Sequence, residues 1–178
     1  MAVEDKSKPI FFRTDVRHFS RGETISSPGD HITRMGGGTA RLGEERLRAF
    51  SPLLCELRTK NLFVYTTLYA ALLQHIRFGG HVYRVEVEEQ DVLHTADLNL
   101  IEEVARASET DYPKIAQLYL DQERRCSRII ESIVRKAKVL AKLYDTSERE
   151  SVRRALELLK PDRHSDFGRL LPNPLPDS

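Results

Sequence analysis

The spacing of apolar positions changes within residues 61–74, NLFVYTTLYAALLQ, and the rest of the chain can be read outward from there. Residues 62–65 are a β-branched and aromatic run suited to a pleated, half-buried surface, whereas 68–73 are rich in Leu and Ala and suit a helix. The predicted junction falls on Thr66 and Thr67, whose hydroxyls can cap the new helix by accepting from one of its orphan N–H groups. Upstream, residues 10–13 form a compact apolar strand that ends on Arg13 and runs into Thr14, Asp15, Val16 and Arg17. Gly79 and Gly80 close the helix, as glycine does where a left-handed residue is needed. Residues 81–88 alternate, with Tyr83, Val85 and Val87 opposite Arg84, Glu86 and Glu88 and Val82 as the exception on the polar face, which predicts a strand. A short extended piece over 92–97, a helix over 98–107 and a helix from Pro113 to about Gln122 or Glu123 complete this part.

Two regions are harder. Residues 20–43 hold Gly22, the Ser26-Ser27-Pro28-Gly29-Asp30 turn and Gly36-Gly37-Gly38, and are expected to form a long polar loop before a helix that begins near Glu44. That helix breaks at Ser51-Pro52, and Leu53, Leu54 and Leu57 resume an apolar face. Residues 128–144 place apolar side chains at 129, 130, 133, 134, 137, 140, 141 and 144, the stripe of an amphipathic helix. The runs 129–134 and 139–143 are equally β-branched enough for two strands, so both readings stand. Ser147 and Glu150 have capping-box spacing ahead of a helix to about Leu159, and Pro161 stops it.

Composition limits the options. Hydrophobic residues make up 40% and charged residues 31% of 178, which points to an ordinary soluble domain over 10–160, a flexible N-terminus over 1–9 and a Pro-rich tail over 161–178. With 28 basic and 27 acidic residues, bulk charge does not announce a nucleic-acid partner. Cys55 and Cys126 lack the spacing of a zinc ribbon or disulfide framework, and no apolar run reaches membrane-helix length. A cytoplasmic location without a membrane partner is therefore expected. The glycine triplet lacks the Lys-Ser/Thr that a phosphate-binding P-loop needs.

Ile10-Phe11-Phe12-Arg13-Thr14-Asp15, with Gly22-Glu23 and Ser27-Pro28-Gly29 behind it, resembles the first strand and loop of ADP-ribosyltransferases of the cholera-toxin type. Phe63-Val64-Tyr65-Thr66-Thr67 is similar to that family's second motif, a strand ending in Ser/Thr before a helix. Residues 82–87 are similar to the strand that follows. Ile130-Glu131-Ser132-Ile133-Val134 resembles the third motif, a strand bearing the catalytic glutamate. The resemblance spans roughly residues 10–144 and implies an α+β fold, a split β-sandwich around an NAD cleft with added C-terminal helices. Its implied activity is transfer of ADP-ribose from NAD, a co-substrate, to a protein or nucleic-acid acceptor, in a toxin, defence or phage setting. One departure is that arginine-modifying members carry Gln or Glu two positions before the catalytic glutamate, where this chain has Ile129. The resemblance is accordingly nearer to DNA-modifying or uncharacterised bacterial and phage members.

On that resemblance Glu131 is the catalytic residue, a carboxylate that steadies the oxocarbenium character developing on the ribose. Arg13, Thr14, Tyr65, Thr66 and Thr67 are the expected NAD-binding residues. Arg13 suits phosphate or ribose because its planar donors are fixed and permanently charged, and Tyr65 suits packing against nicotinamide. Arg124, Arg125, Arg128, Arg135, Lys136 and Lys138 form a basic cluster able to guide nucleic acid toward Glu131. Each assignment has a plainer rival. Arg13 can pair with Asp15, the threonines can be caps, Tyr65 can be core, and Glu131 can be a solvated charge on a helix. His94 and Asp97 invite a metal reading but lack a third ligand. At the level of the protein, the alternatives are an inactive or NAD-hydrolysing relative, and a mostly helical interaction module with a hairpin over 113–159.

Overall fold

Apolar runs that are short and β-branched become strands here, and Leu/Ala-rich or capped segments become helices. A computed structural model describes residues 8–124 and 129–159. Its strands are β1 (Ile10–Asp15), β2 (Thr24–Ser26), β3 (Leu62–Tyr65), β4 (His81–Glu86), β5 (Val92–Asp97), β6 (Ile130–Val134) and β7 (Lys136–Tyr144). Its helices are α1 (Thr39–Phe50), α2 (Pro52–Lys60), α3 (Leu68–Phe78), α4 (Asn99–Arg106), α5 (Tyr112–Leu120) and α6 (Arg149–Leu159). The class is α+β. No helix of the described residues is long and apolar enough to cross a membrane.

The strands form one antiparallel sheet in the order β2-β7-β4-β1-β3-β6-β5. It has a narrow waist. Strand β1 pairs with β4 along its whole length, from Ile10↔Glu86 to Asp15↔His81, and β3 pairs with β6 from Leu62↔Val134 to Tyr65↔Glu131. Between β1 and β3 the only paired residues are Phe12 and Tyr65. Beyond that pair the end of β1 and the start of β3 part. Helix α3 packs on β1 and against α6, while α1, α2, α4 and α5 pack together on the other half of the sheet. Three buried clusters result. Phe11, Val64, Tyr83 and Val85 share the first, Tyr69, Leu72, Val82 and Val152 the second, and Leu47, Leu54, Leu100 and Tyr119 the third.

Residues 130–134 and 136–144 are strands, so a helical hairpin over 113–159 is not what the chain forms. The 3–4 spacing misleads because β6 is buried on both faces. A strand covered on both sides carries a near-continuous apolar run rather than an alternation, and such a run can imitate a helical stripe. The long loop over 20–43 also needs correcting. It contains β2, which pairs with β7, and a 3-10 turn at His31–Arg34, and α1 begins at Thr39 rather than near Glu44. Gly43 hid that start because glycine is a poor helix former. Its absent side chain lets α1 approach α4, since a Cβ there would lie 2.3 Å from the Ile101 carbonyl oxygen. Gly43→Ala is therefore expected to destabilise by about 1–3 kcal/mol, as overpacked sites do. That exceeds Ala's helix-propensity gain of about 1 kcal/mol. A urea-melt midpoint at or above wild type would contradict the close approach.

The termini bring smaller corrections. Lys8 pairs with Glu88 at 2.5 Å and the Pro9 carbonyl accepts from Val87 N, so these two residues are held rather than frayed. The entry to α6 is closed by Asp145 and Glu148 instead of Ser147 and Glu150, with Asp145 N donating to Glu148 Oε2 at 2.6 Å. The rest of the expected N-terminal stretch, the tail over 161–178, Arg125, Cys126 and Arg128 lie outside the described residues.

Candidate functional site at the waist of the sheet

Where β1 and β3 part, a cleft of about 280 Å³ opens, walled by Arg13, Thr14, Phe63 and Tyr65 from the strands and by Glu44 and Arg58 from α1 and α2. Arg13 spans the gap. Its Nη1 donates to the Phe63 carbonyl at 2.7 Å, while Nε and Nη2 donate to Asp15 Oδ2 at 2.8 and 2.5 Å. The plain pairing of Arg13 with Asp15 and a place on the cleft wall are thus both true. Three of the five guanidinium N–H groups are engaged in these bonds. Arg17 also grips Asp15, through Nη2 at 2.9 Å.

Burial disfavours the Asp15 charge, but Arg17 and Arg13 outweigh it and draw its pKa down from 3.8 to about 2. A carboxylate whose pKa is lower in the folded state adds stability above its unfolded value, and that contribution fades as pH falls toward the folded one. Stability is therefore expected to drop between about pH 4 and about pH 2 as this clamp is protonated. In Asp15→Asn the urea midpoint should already be lower at pH 7 and fall less steeply over that interval. Parallel curves for the two proteins would rule this out.

Tyr65 lies on the wall and only 9% of it is exposed. Burial, with Glu131 next, pushes its phenol above the usual range, so it remains a neutral hydroxyl. Thr14 faces α3, where its hydroxyl donates to the Ala71 carbonyl at 2.8 Å. Thr67 is the N-cap of α3, its Oγ1 accepting from Ala70 N at 3.2 Å, so the capping reading holds for it. Thr66 is held through its backbone N–H, which donates to Ile130, while its buried hydroxyl makes no hydrogen bond among the described residues.

Glu131 is on β6, opposite Tyr65 in register, and is 4% exposed. It is neither a surface charge nor a member of the cleft wall. Arg58 lies in front of it, donating from Nη1 to Glu131 Oε1 at 2.7 Å and from Nε to Glu44 Oε2 at 2.8 Å. The Tyr119 hydroxyl also donates to Glu131 Oε1, at 2.6 Å, and receives a bond from Arg58. One carboxylate oxygen is thereby fixed, while Oε2 takes no hydrogen bond among the described residues. Arg48 extends the chain, donating to Glu44 Oε1 at 2.8 Å and to both Asp30 oxygens. Asp30, Arg48, Glu44, Arg58 and Glu131 thus alternate in sign from the loop before α1 to the floor of the sheet. Burial opposes the Glu44 charge, yet Arg58, His31 and Arg48 hold its carboxyl well below the ordinary range. Burial likewise works against the Arg58 cation, and Glu131 and Glu44 outweigh it.

Glu44, Arg58 and Tyr119 were not picked out from the sequence. A signal was present. Arg58 is four residues after Leu54 and Glu44 three before Leu47, so each charge is in phase with its helix's apolar stripe. Two charges of opposite sign on the buried faces of consecutive helices imply a buried pair.

Arg124, Arg135 and Lys136 of the basic cluster do not converge. Arg124 follows Glu123, whose carbonyl accepts from Asp97 at the end of β5, whereas Arg135 N donates to Asp91 just before β5. These are opposite ends of a six-residue strand, roughly 20 Å apart at about 3.3 Å per residue. Arg135 donates to the Gln90 carbonyl and Lys136 approaches Asp91 at 3.9 Å, away from the cleft wall. His94 does not meet Asp97 as a ligand pair. Its Nε2 is 2.9 Å from the Tyr119 carbonyl, and no group of three metal-ligating side chains occurs among the described residues.

Comparison with known proteins returned no matching family model, no matching curated protein and no matching solved structure.

Proposed function

We propose that the chain transfers ADP-ribose from NAD to a macromolecular acceptor, using the waist cleft as the NAD site. The observation that carries this reading is the meeting of three motifs at one place. Strand β1 with Arg13, β3 with Tyr65-Thr66-Thr67 and β6 with Glu131 come from distant parts of the chain and lie side by side in the sheet. Phe12, Tyr65 and Glu131 occupy one row across it, and the cleft opens beside that row. The resemblance to cholera-toxin-type ADP-ribosyltransferases implies a split sandwich around the NAD cleft; the strands here form one sheet instead, and the proposal takes its waist, where β1 and β3 share a single pair, as the place of that split.

In the proposed reaction the bond between ribose C1′ and nicotinamide nitrogen breaks, and nicotinamide leaves with the bonding pair. An acceptor nucleophile then attacks C1′ and gives up its proton to solvent or a nearby base. Glu131 Oε2 steadies the positive ribose through a sugar hydroxyl, with the Tyr119 hydroxyl holding the carboxylate in place. To let the sugar in, the Arg58 side chain shifts toward Glu44, which already holds its Nε. Tyr65 supplies a flat wall for nicotinamide, and the unspent N–H groups of Arg13 face the ribose. Ile129, two positions before Glu131, is buried among Tyr69, Leu72 and Val152, so nothing there attracts an arginine acceptor.

Incubating the protein with adenylate-labelled NAD and a cell lysate tests the reading. Label on protein or nucleic acid identifies the acceptor class, and nicotinamide release without transferred label identifies a hydrolase. If NAD neither binds nor is consumed, the reading is wrong.

A further inference from the structure

The cleft has four cationic arginines on its wall, and they are not equivalent. Arg13 is neutralised by Asp15, Arg58 by Glu44 and Glu131, and Arg77 by Glu102. Arg34 also lines the cleft but makes no hydrogen bond or ion pair among the described residues. It is exposed at the rim, yet its turn is anchored. Asp30 Oδ1 accepts from Ile32 N at 3.1 Å and is itself gripped by Arg48 at 2.8 Å. The His31 ring packs edge-on against Phe63 of β3, with centroids 4.5 Å apart, and the Met35 N–H returns to the Ile32 carbonyl. An arginine with no partner on a fixed turn presents a planar, permanently charged donor set to whatever enters.

From this we infer that Arg34 binds a diphosphate group at the cleft mouth. The cleft volume of about 280 Å³ is at the small end for ligand pockets, which run to roughly 300–1,000 Å³. The interior therefore takes one nucleoside end and leaves the diphosphate at the rim. Among the wall arginines only Arg34 then offers charge that no carboxylate already uses. The choice of a dinucleotide rests on the function proposed above, but the anion site itself does not.

The test is calorimetric titration of wild type, Arg34→Ala and Arg34→Lys with inorganic pyrophosphate, ADP, NAD and uncharged adenosine. Arg34→Ala is expected to weaken pyrophosphate, ADP and NAD by roughly 10- to 100-fold, as loss of a hydrogen bond to a charged group does, with adenosine unaffected. Arg34→Lys should recover most of that loss by restoring the charge. Because Arg34 is exposed, both variants should melt like wild type. Equal ADP affinity in wild type and Arg34→Ala would overturn the inference even if NAD is consumed. Arg34-dependent ADP binding without NAD consumption would uphold the site and sink the transferase. Failure of wild type to bind either ADP or pyrophosphate would overturn the site outright.

Discussion

Arg58→Met is expected to lower the free energy of unfolding by about 3–5 kcal/mol, the cost of breaking a buried ion pair from one side. Arg58 is 2% exposed, between Glu44 at 1% and Glu131 at 4%. Without it Glu44 keeps Arg48, but among the described residues Glu131 is left with the Tyr119 hydroxyl and no cation. Arg58→Lys should not rescue, because one ammonium cannot reproduce a planar fork that donates to two carboxylates and a phenol at once. Removing the charges together is a different matter. Combining Arg58→Met with Glu44→Leu and Glu131→Leu should recover much of the loss, since apolar replacement of a whole buried ionic group is often neutral or stabilising. Denaturant midpoints at pH 7 decide this. A loss below about 1 kcal/mol in the single variant would mean that water reaches the pair and that the network is a surface feature.

Glu131→Gln should do the opposite, sparing the fold and ending the chemistry. The Gln carbonyl can still accept from Arg58 and Tyr119, so packing and hydrogen bonding around β6 survive. What disappears is the negative charge that the proposed reaction needs beside a positive ribose. Nicotinamide release is expected to fall by roughly 10²- to 10³-fold, the size of effect seen when one preorganised electrostatic group is removed from an active site. NAD affinity should change only a few-fold, because the ground-state sugar carries no such charge. A variant that keeps wild-type turnover would reduce Glu131 to a structural partner of Arg58. A variant that loses NAD binding as well would show that the carboxylate organises the cleft before any bond is broken.

The legible parts of the sequence were those where local chemistry and tertiary position agree. Residues 61–79 could be read nearly residue by residue, because strand, cap, helix and glycine stop are each set by neighbours in the chain. Strand β4 was legible for a similar reason, as its alternation reports one face more polar than the other. Strand β6 was not decided by pattern, because burial on both faces erases alternation. Only its likeness to a family motif favoured a strand there. Helix α1 starts before the point its sequence predicts because Gly43 answers to α4, an element more than fifty residues away. The candidate site divides along the same line. Arg13, Thr14 and Tyr65, which line the cleft, come from short linear motifs and can be named from sequence, whereas Thr66, Thr67 and Glu131, named from the same motifs, do not line it. Arg58, Tyr119, Glu44 and Arg34 acquire their roles only when α1, α2, α5 and the 31–34 turn are folded against β6 and β3.

The strand order also governs how such a chain reaches its folded state. In the order β2-β7-β4-β1-β3-β6-β5, only β5 and β6 are neighbours both in sequence and in space. Every other ladder must close a long loop before any pairing offsets the lost entropy, which places the domain among slow, non-local folders. The first strand synthesised lies in the middle of the sheet and stays open on both sides until β3 and β4 have emerged. Strand β2 has no partner at all until β7 is made. A ribosome-bound chain ending before Tyr144 would therefore expose the edges of β4 and β2 together with the apolar faces beneath them. Co-translational protection, rather than thermodynamic stability, becomes the first demand this topology makes on a cell.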